Sequence, residues 1–479
     1  MSKEKFITTT LPYINSNAHI GHALELLQAD TLARYFEWAL ISEETIVHFN
    51  SGLDEHGLKV YQTALGKGVT PKEHCDELAE TWKEFYEEFH IEPHTFYRTS
   101  DTKHHESVQT IWKTLVDKGV IYKKEYTSQY CVGCEEFKRE IDLEEGKCIT
   151  HPNSDLETVS EENYFFKLSS YKEQLLEWFN NSPEFIQPKN KRNEVLHFLD
   201  GLEDISISRD SVKVPWGVSV PNDNTQTIYV WFDALLNYIL SAGYLTEDFN
   251  WDDTVQLCGA DNIRFQAVIF QGLLCALDIP NTKTLIVHGT VLDEKGTKMS
   301  KSIGNVVDPI EQCEKYGLEA VRYYLVAGNP TFTNFGYSED DLISLYNAHL
   351  CNGLGNLTKR VLTLINKKNV NIDTLALILN TDFTKEVSEF CKKIDSEFEK
   401  YNIQKAYDHV HQLVNRTNQY LNDNEPWKLD DNEAGLILQD CYISLEYLAT
   451  YYSFIFPNRP DIESVIEECD DKTILFQRL

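Results

Sequence analysis

From Phe6 to Thr10 the chain reads as a short extended run. From His22 to Trp38 apolar residues then fall at Leu24, Leu27, Leu32 and Tyr35, the spacing of one helix face. Thr45 to Phe49 reads as a second strand. Strand, helix and strand in succession predict a right-handed βαβ unit with parallel strands, the start of a doubly wound sheet that binds ligands at its strands' carboxyl ends. Thr70-Pro71-Lys72-Glu73 has the form of a capping box with proline at the first helical position, and Cys75, Leu78, Trp82, Phe85 and Phe89 continue one face. After Gly119 the pattern breaks into short segments around Cys131 to His151. Strand propensity returns at Thr227 to Phe232, Val255 to Cys258 and Thr284 to His288. From about Ser338 the 3.6-residue period dominates, as in Leu354, Leu357, Val361 and Leu364. The prediction is an α/β protein: a Rossmann-like parallel sheet split by an insertion and followed by an all-α bundle.

Composition narrows the function classes. With 479 residues, 42% hydrophobic and 25% charged, the chain is a folded protein of several domains. No run reaches the roughly 18 to 20 apolar residues of a spanning helix, and the N-terminus lacks the apolar stretch of a signal peptide. A cytoplasmic protein without membrane contact is expected. A net charge of -32 opposes indiscriminate attraction to nucleic acid, so any such contact must be local. Eleven cysteines without a secretory signal point to free or metal-bound thiols.

Three groups of residues carry candidate chemistry. His19-Ile20-Gly21-His22 lies between the first strand and the first long helix, where unpaired N–H groups, imidazole donors and a glycine suit a nucleotide, although the same residues could simply begin a helix. Lys298-Met299-Ser300-Lys301-Ser302 follows a strand and a turn, and its two lysines suit a loop that neutralises charge growing on a triphosphate. Cys131, Cys134, Cys148 and His151 form two pairs on tight turns that can converge on one tetrahedral Zn²⁺ with no open position, hence a structural metal.

In this order the first two groups resemble the signatures of class I aminoacyl-tRNA synthetases. Thr9 to Tyr13, Asp54-Glu55-His56-Gly57, Tyr229 to Ala234 and His288-Gly289 narrow the resemblance to the methionyl-tRNA synthetase family, in its bacterial-like form with a single zinc knuckle. The resemblance implies ATP-dependent activation of methionine, with Mg²⁺ accompanying ATP, and transfer to the 3' end of tRNA(Met). It implies that His19 and His22 hold phosphates and that Lys298 and Lys301 stabilise the transition state. Gly21, Gly259, Asp261 and Lys301 would contact ATP or the adenylate. Leu11, Tyr13, Asp54, Trp231, Ala234, Tyr238 and Gln266 would form the methionine pocket, Asp54 pairing with the amino group. Asn356, Arg360 and Trp427 would read the anticodon, on a locally basic track with Lys359, Lys367 and Lys368.

The implied layout is a catalytic domain over residues 1–117 and 227–303, a zinc-bearing insertion over 118–226, a stem-contact linker over 304–350 and an anticodon-binding bundle over 351–479, in a monomer. The chain departs from the family pattern at Ala260 and Gln266, where a lysine and a histidine are usual, and at Leu53, where a threonine often stands. Another class I specificity, or a tRNA-binding homologue without catalysis, stays open on these residues.

Overall fold

The computed structural model describes residues 3–134, 136–138, 143–151, 155–299, 304–372 and 381–479. The first strand, β1 (Glu4–Thr8), leads through helix α1 (Ile20–Ala39) to a parallel neighbour, β2 (Ile46–Leu53). Helices α2 (Leu58–Lys67) and α3 (Pro71–Glu88) then carry the chain to β3 (Thr95–Arg98). The capping box forms as expected: Thr70 Oγ1 accepts from the Glu73 N–H, and the Glu73 carboxylate accepts from the Thr70 N–H at 2.9 Å.

Three further strands complete the sheet: β4 (Ile186–Gln187), β5 (Thr254–Cys258) and β6 (Thr284–Val287). All six run parallel in the order β3-β2-β1-β5-β6-β4. The chain winds outward from β1 through β2 to β3 on one side, then forms β4 at the far edge of the other side and returns to β5 beside β1. The carboxyl ends of β1 and β5 therefore flank a crevice at the topological switch point. Every residue of β5 and β6 is buried, as expected of parallel strands covered on both faces.

Two features differ from the sequence reading. Strand β4 lies inside the segment read as an insertion, and its two residues are too few to show a period. The strand expected at Thr227 to Phe232 is also divided. Asp223–Ile228 pairs with Ser208–Asp210 and Ser219–Val220 in a separate antiparallel sheet, and Val230–Leu235 is helical. Burial decides this: Val230, Phe232, Ala234 and Leu235 all pack inside, and tertiary packing overrides the strand propensity of an aromatic, β-branched run. Between the sheet's halves, Ile121–Cys131 pairs antiparallel with Leu156–Phe166 along eleven positions.

The C-terminal part is helical as expected, with Asn356–Lys368, Asp382–Glu399, Ile403–Asn424 and Asp431–Ser453 packed on one another. A continuous apolar core runs from Ile7 and Leu24 of the sheet region to Leu413 and Leu438 of the bundle. At the join sits a fully buried Arg322. Its guanidinium donates to Asp30 Oδ2 of α1 at 2.8 Å, to the Ile455 carbonyl at 2.5 Å and to the Phe89 carbonyl. A buried charge is tolerable when its donors are matched in this way.

Candidate active site

A cavity of about 310 Å³ opens at the switch point. The segment after β1 contributes Leu11 and Tyr13, the start of α1 contributes His19, Gly21 and His22, and the end of β2 contributes Asp54. Trp231, Ala234 and Tyr238 come from the helical turns that follow the antiparallel sheet. Gly259, Asp261 and Gln266 follow β5, and Lys298 follows β6. Thus each residue assigned from the sequence to ATP or to the amino acid lines one cavity, apart from Lys301, which lies outside the described residues.

The two signature histidines cap α1 reciprocally. His19 Nδ1 accepts from the N–H groups of Gly21 and His22 at 3.1 and 3.2 Å, and His22 Nδ1 accepts from the His19 N–H at 3.2 Å. The rings stack with centroids 3.6 Å apart. A backbone N–H can only donate, so each Nδ1 must be bare and the proton of each neutral ring sits on Nε2. Helix capping thereby places both imidazole donors on Nε2, at a helix N-terminus of the kind that favours anions. Gly21 lets the His19 ring lie close, since a Cβ there would come within 3.0 Å of His19 Cε1.

A buried pair missed by the sequence reading stands beside them. Glu25 Oε1 accepts from Thr10 N–H and Oγ1–H at 2.7 and 2.6 Å, and Glu25 Oε2 meets His288 Nε2 at 2.9 Å. His288 Nδ1 faces the Gly289 carbonyl at 2.8 Å. Burial opposes charge on His288, but the hydrogen bond and attraction from Glu25 and the facing carbonyl outweigh it and raise the pKa. Two facing acceptors call for two N–H donors, which is the imidazolium. One turn beyond His22 on the same face, Glu25 carried a positional signal in the sequence. At the mouth, Lys298 pairs with Asp261.

The end of the cavity lined by Tyr13, Asp54 and Trp231 is held by backbone and by buried side chains. Asp54 N–H donates to the Pro12 carbonyl and Ile14 N–H to the Asp54 carbonyl, both at 2.9 Å, which fixes the Asp54 strand end against the Tyr13 segment. Trp231 stacks on Phe265 at 4.2 Å. Between Trp231 and Ala234, the fully buried Asp233 meets His56 Nδ1 at 2.9 Å, and His56 Nε2 lies 3.0 Å from His105 Nε2. Burial pushes the Asp233 carboxyl up and His56 down to about 4, and it brings His105 to about 4 as well. Gln266, in the usual histidine position, is only 2% exposed and donates to the Tyr238 oxygen at 2.7 Å.

Cys131, Cys134, Cys148 and His151 converge, with their ligand atoms all within 4.8 Å of one another. Cys134 Sγ lies 3.6 Å from Cys148 Sγ and 3.1 Å from His151 Nδ1. Three thiols and an imidazole at these separations fit a tetrahedral metal ion such as zinc, for which metal–sulfur bonds of about 2.3 Å are usual. Gly133 leaves room for the His151 ring, which a Cβ would meet at 2.6 Å. All eleven cysteines are free of disulfides.

Far from the cavity, Asn356 and Arg360 lie on one helix, as expected, and Trp427 is 40% exposed. Arg360 donates to the side-chain oxygens of Asn418 and of Asn422, the latter at 2.6 Å. Lys368 departs from its expected place on a basic track: it donates to the Leu429 carbonyl at 2.7 Å and pairs with Asp431 at 3.2 Å, tying its helix to the Trp427 segment. No helix among the described residues is long and apolar enough to cross a membrane.

Comparisons with known proteins agree with this arrangement. The family model described as tRNA synthetases class I (M) matches residues 5–148 and 134–362. The methionine–tRNA ligase of Caldanaerobacter subterraneus subsp. tengcongensis is 37% identical, the match covering 96% of this chain and 73% of the relative. That of Rickettsia bellii is 34% identical, over 96% and 91%. Among solved structures, Mycobacterium tuberculosis methionyl-tRNA synthetase in complex with methionyl-adenylate superimposes with a TM-score of 0.87 at 30% identity, covering 97% of this chain and 93% of that one. The chain therefore belongs to the methionyl-tRNA synthetase family of class I aminoacyl-tRNA synthetases.

Proposed function

We propose that the protein is a methionine–tRNA ligase, which activates methionine with MgATP to methionyl-adenylate and transfers the methionyl group to the 3' end of tRNA(Met). The observation that carries this reading is the single cavity at the switch point, in which the histidine pair, Lys298 and an apolar, aromatic pocket meet. The carboxylate of the amino acid attacks the α-phosphorus in line and pyrophosphate leaves, so the reaction requires no nucleophile from the enzyme. Catalysis then rests on positioning and on donors aimed at growing phosphate charge.

His19 and His22 donate from Nε2 to phosphate oxygens. Lys298 exchanges Asp261 for the triphosphate and, with Lys301, stabilises the departing pyrophosphate. Asp261 is then released to bind ribose hydroxyls beside Gly259 and Gly21. Asp54 holds the substrate ammonium, and Leu11, Tyr13, Trp231, Ala234, Tyr238 and Gln266 enclose the side chain. Zinc held by Cys131, Cys134, Cys148 and His151 supplies a structural cross-link within the insertion. Asn356, Arg360 and Trp427 take the anticodon, and the five-part layout of residues 1–117, 118–226, 227–303, 304–350 and 351–479 follows, in a cytoplasmic monomer.

Amino-acid-dependent ATP–pyrophosphate exchange over methionine, cysteine, leucine, isoleucine, valine and glutamine tests the reading. Exchange with methionine alone is expected. Exchange with another amino acid overturns the specificity, and none with folded, zinc-loaded protein overturns the catalytic assignment.

A further inference from the structure

Gln266 does not stand alone behind the pocket. It is the last member of a buried chain of polar side chains that runs back into the sheet, and the direction of every hydrogen bond in that chain can be deduced. Gln271 is the fixed point. One end of its amide faces the Thr282 N–H at 3.0 Å, which can only donate, and the other faces the Gln266 carbonyl at 2.9 Å, which can only accept. Its oxygen and nitrogen are thereby assigned without ambiguity.

The Gln271 nitrogen also donates to Thr282 Oγ1 at 3.0 Å, so the Thr282 hydroxyl spends its one proton on Gln256, 2.8 Å away. The Gln256 atom that receives it is Oε1. Gln256 Nε2 then donates to Gln266 Oε1 at 3.2 Å, and Gln266 Nε2 to the Tyr238 oxygen at 2.7 Å. Gln256, Gln266, Gln271 and Thr282 are all 2% exposed or less, so water cannot reset the order. Burial raises the Tyr238 pKa, which keeps its proton in place.

We infer that Thr282, Gln256 and Gln271 are positioning residues for amino-acid selection: acting through Gln266, they oblige the Tyr238 oxygen to accept from behind and so commit its O–H to donate into the cavity. The inference rests on the reading of the cavity as a methionine site and deepens it. A thioether sulfur is a weak acceptor with no proton to give, so a pocket whose buried polar group is a committed donor matches it. The isosteric side chain with CH₂ in place of sulfur leaves that donor unpaired and is penalised. If the chain is cut at Thr282, the Gln256 and Gln266 amides can both turn over. Gln266 then presents its oxygen to Tyr238, and the Tyr238 proton turns away from the substrate.

The test is pyrophosphate exchange with methionine and with norleucine, in wild type, Thr282→Val, Thr282→Ser and Gln256→Met. In the wild type methionine is expected to be preferred. Thr282→Val, which keeps shape and loses only the hydroxyl, is expected to lower kcat/KM for methionine by about threefold to tenfold with norleucine unchanged. Thr282→Ser restores the ratio. Gln256→Met, which keeps the length of the side chain and removes the donor to Gln266 Oε1, is expected to lower the same ratio even if the valine variant fails to fold.

Equal effects on both substrates, or no effect in either broken variant, overturn the relay. A wild type that activates both substrates equally overturns the relay but leaves the ligase reading standing. A wild type that activates neither overturns that reading and the relay with it.

Discussion

The adenylate cavity and the tip of the helical bundle use polar side chains in opposite ways. On the inner side of the cavity the polar groups are fixed by others that reach into the core: His19 by backbone N–H groups, Glu25 by Thr10 and His288, Tyr238 by Gln266. At the bundle tip Trp427 is 40% exposed and Arg360 is held by two asparagines of the adjacent helix. The cavity is part of the folding unit, whereas the tip is carried on a bundle that is already complete without it. Substitutions in the first should therefore disturb stability and chemistry together, and substitutions in the second should change recognition alone.

The largest effect should come from splitting the buried pair. Glu25→Ala is expected to cost about 3–5 kcal/mol of stability, because it leaves His288 buried without its partner; urea unfolding measures this, and a loss below 1 kcal/mol would break the contrast. Lys298→Ala should lower exchange kcat by about 10²- to 10³-fold, the usual cost of removing one group aimed at transition-state charge, and retained turnover would remove the lysine from the mechanism.

At the tip, Trp427→Ala should weaken tRNA binding by about 1–3 kcal/mol, the range for one stacked base, with methionine exchange and urea midpoint unaltered. A fall in exchange would show that the two regions are not separable.

The smallest signal is spectroscopic. The imidazole resonances of His56 and His105 should stay flat from pH 8 to 5 and titrate near 4. Both are held neutral in the fold and take up protons in the unfolded chain from about pH 6.5 downward, so acidification between about 6.5 and 4 removes stability. His288 acts in the other sense. Its raised pKa contributes stability that is complete below about 6.5 and is lost as pH rises through the folded value.

What could be read in advance follows the range of the signal. The parallel strands Val255 to Cys258 and Thr284 to His288 announced themselves because both faces are covered and the residues are apolar. The metal cluster was legible because its ligands lie close in sequence. The Glu25–His288 pair was not, since 263 positions separate its members and no local pattern around either one names the other. Gln256 did leave a trace, as a polar residue within a strand that is buried throughout, but its partners Thr282 and Gln266 come from other elements. The helix at Val230–Leu235 was hidden because its residues favour a strand and only packing against the rest of the molecule decides otherwise.

Helix α1 begins at the histidine pair and extends for twenty residues, about 30 Å of stiff rod. Midway along it Asp30 grips Arg322, and Arg322 in turn grips the Ile455 carbonyl beyond the bundle's last long helix. Mechanically the rod is a beam clamped at mid-span to the helical half of the molecule, with its first turn at the cavity. The buried charged rivet and the stacking of Tyr35 on Phe398 join the beam to the bundle, and its first turn carries the imidazoles.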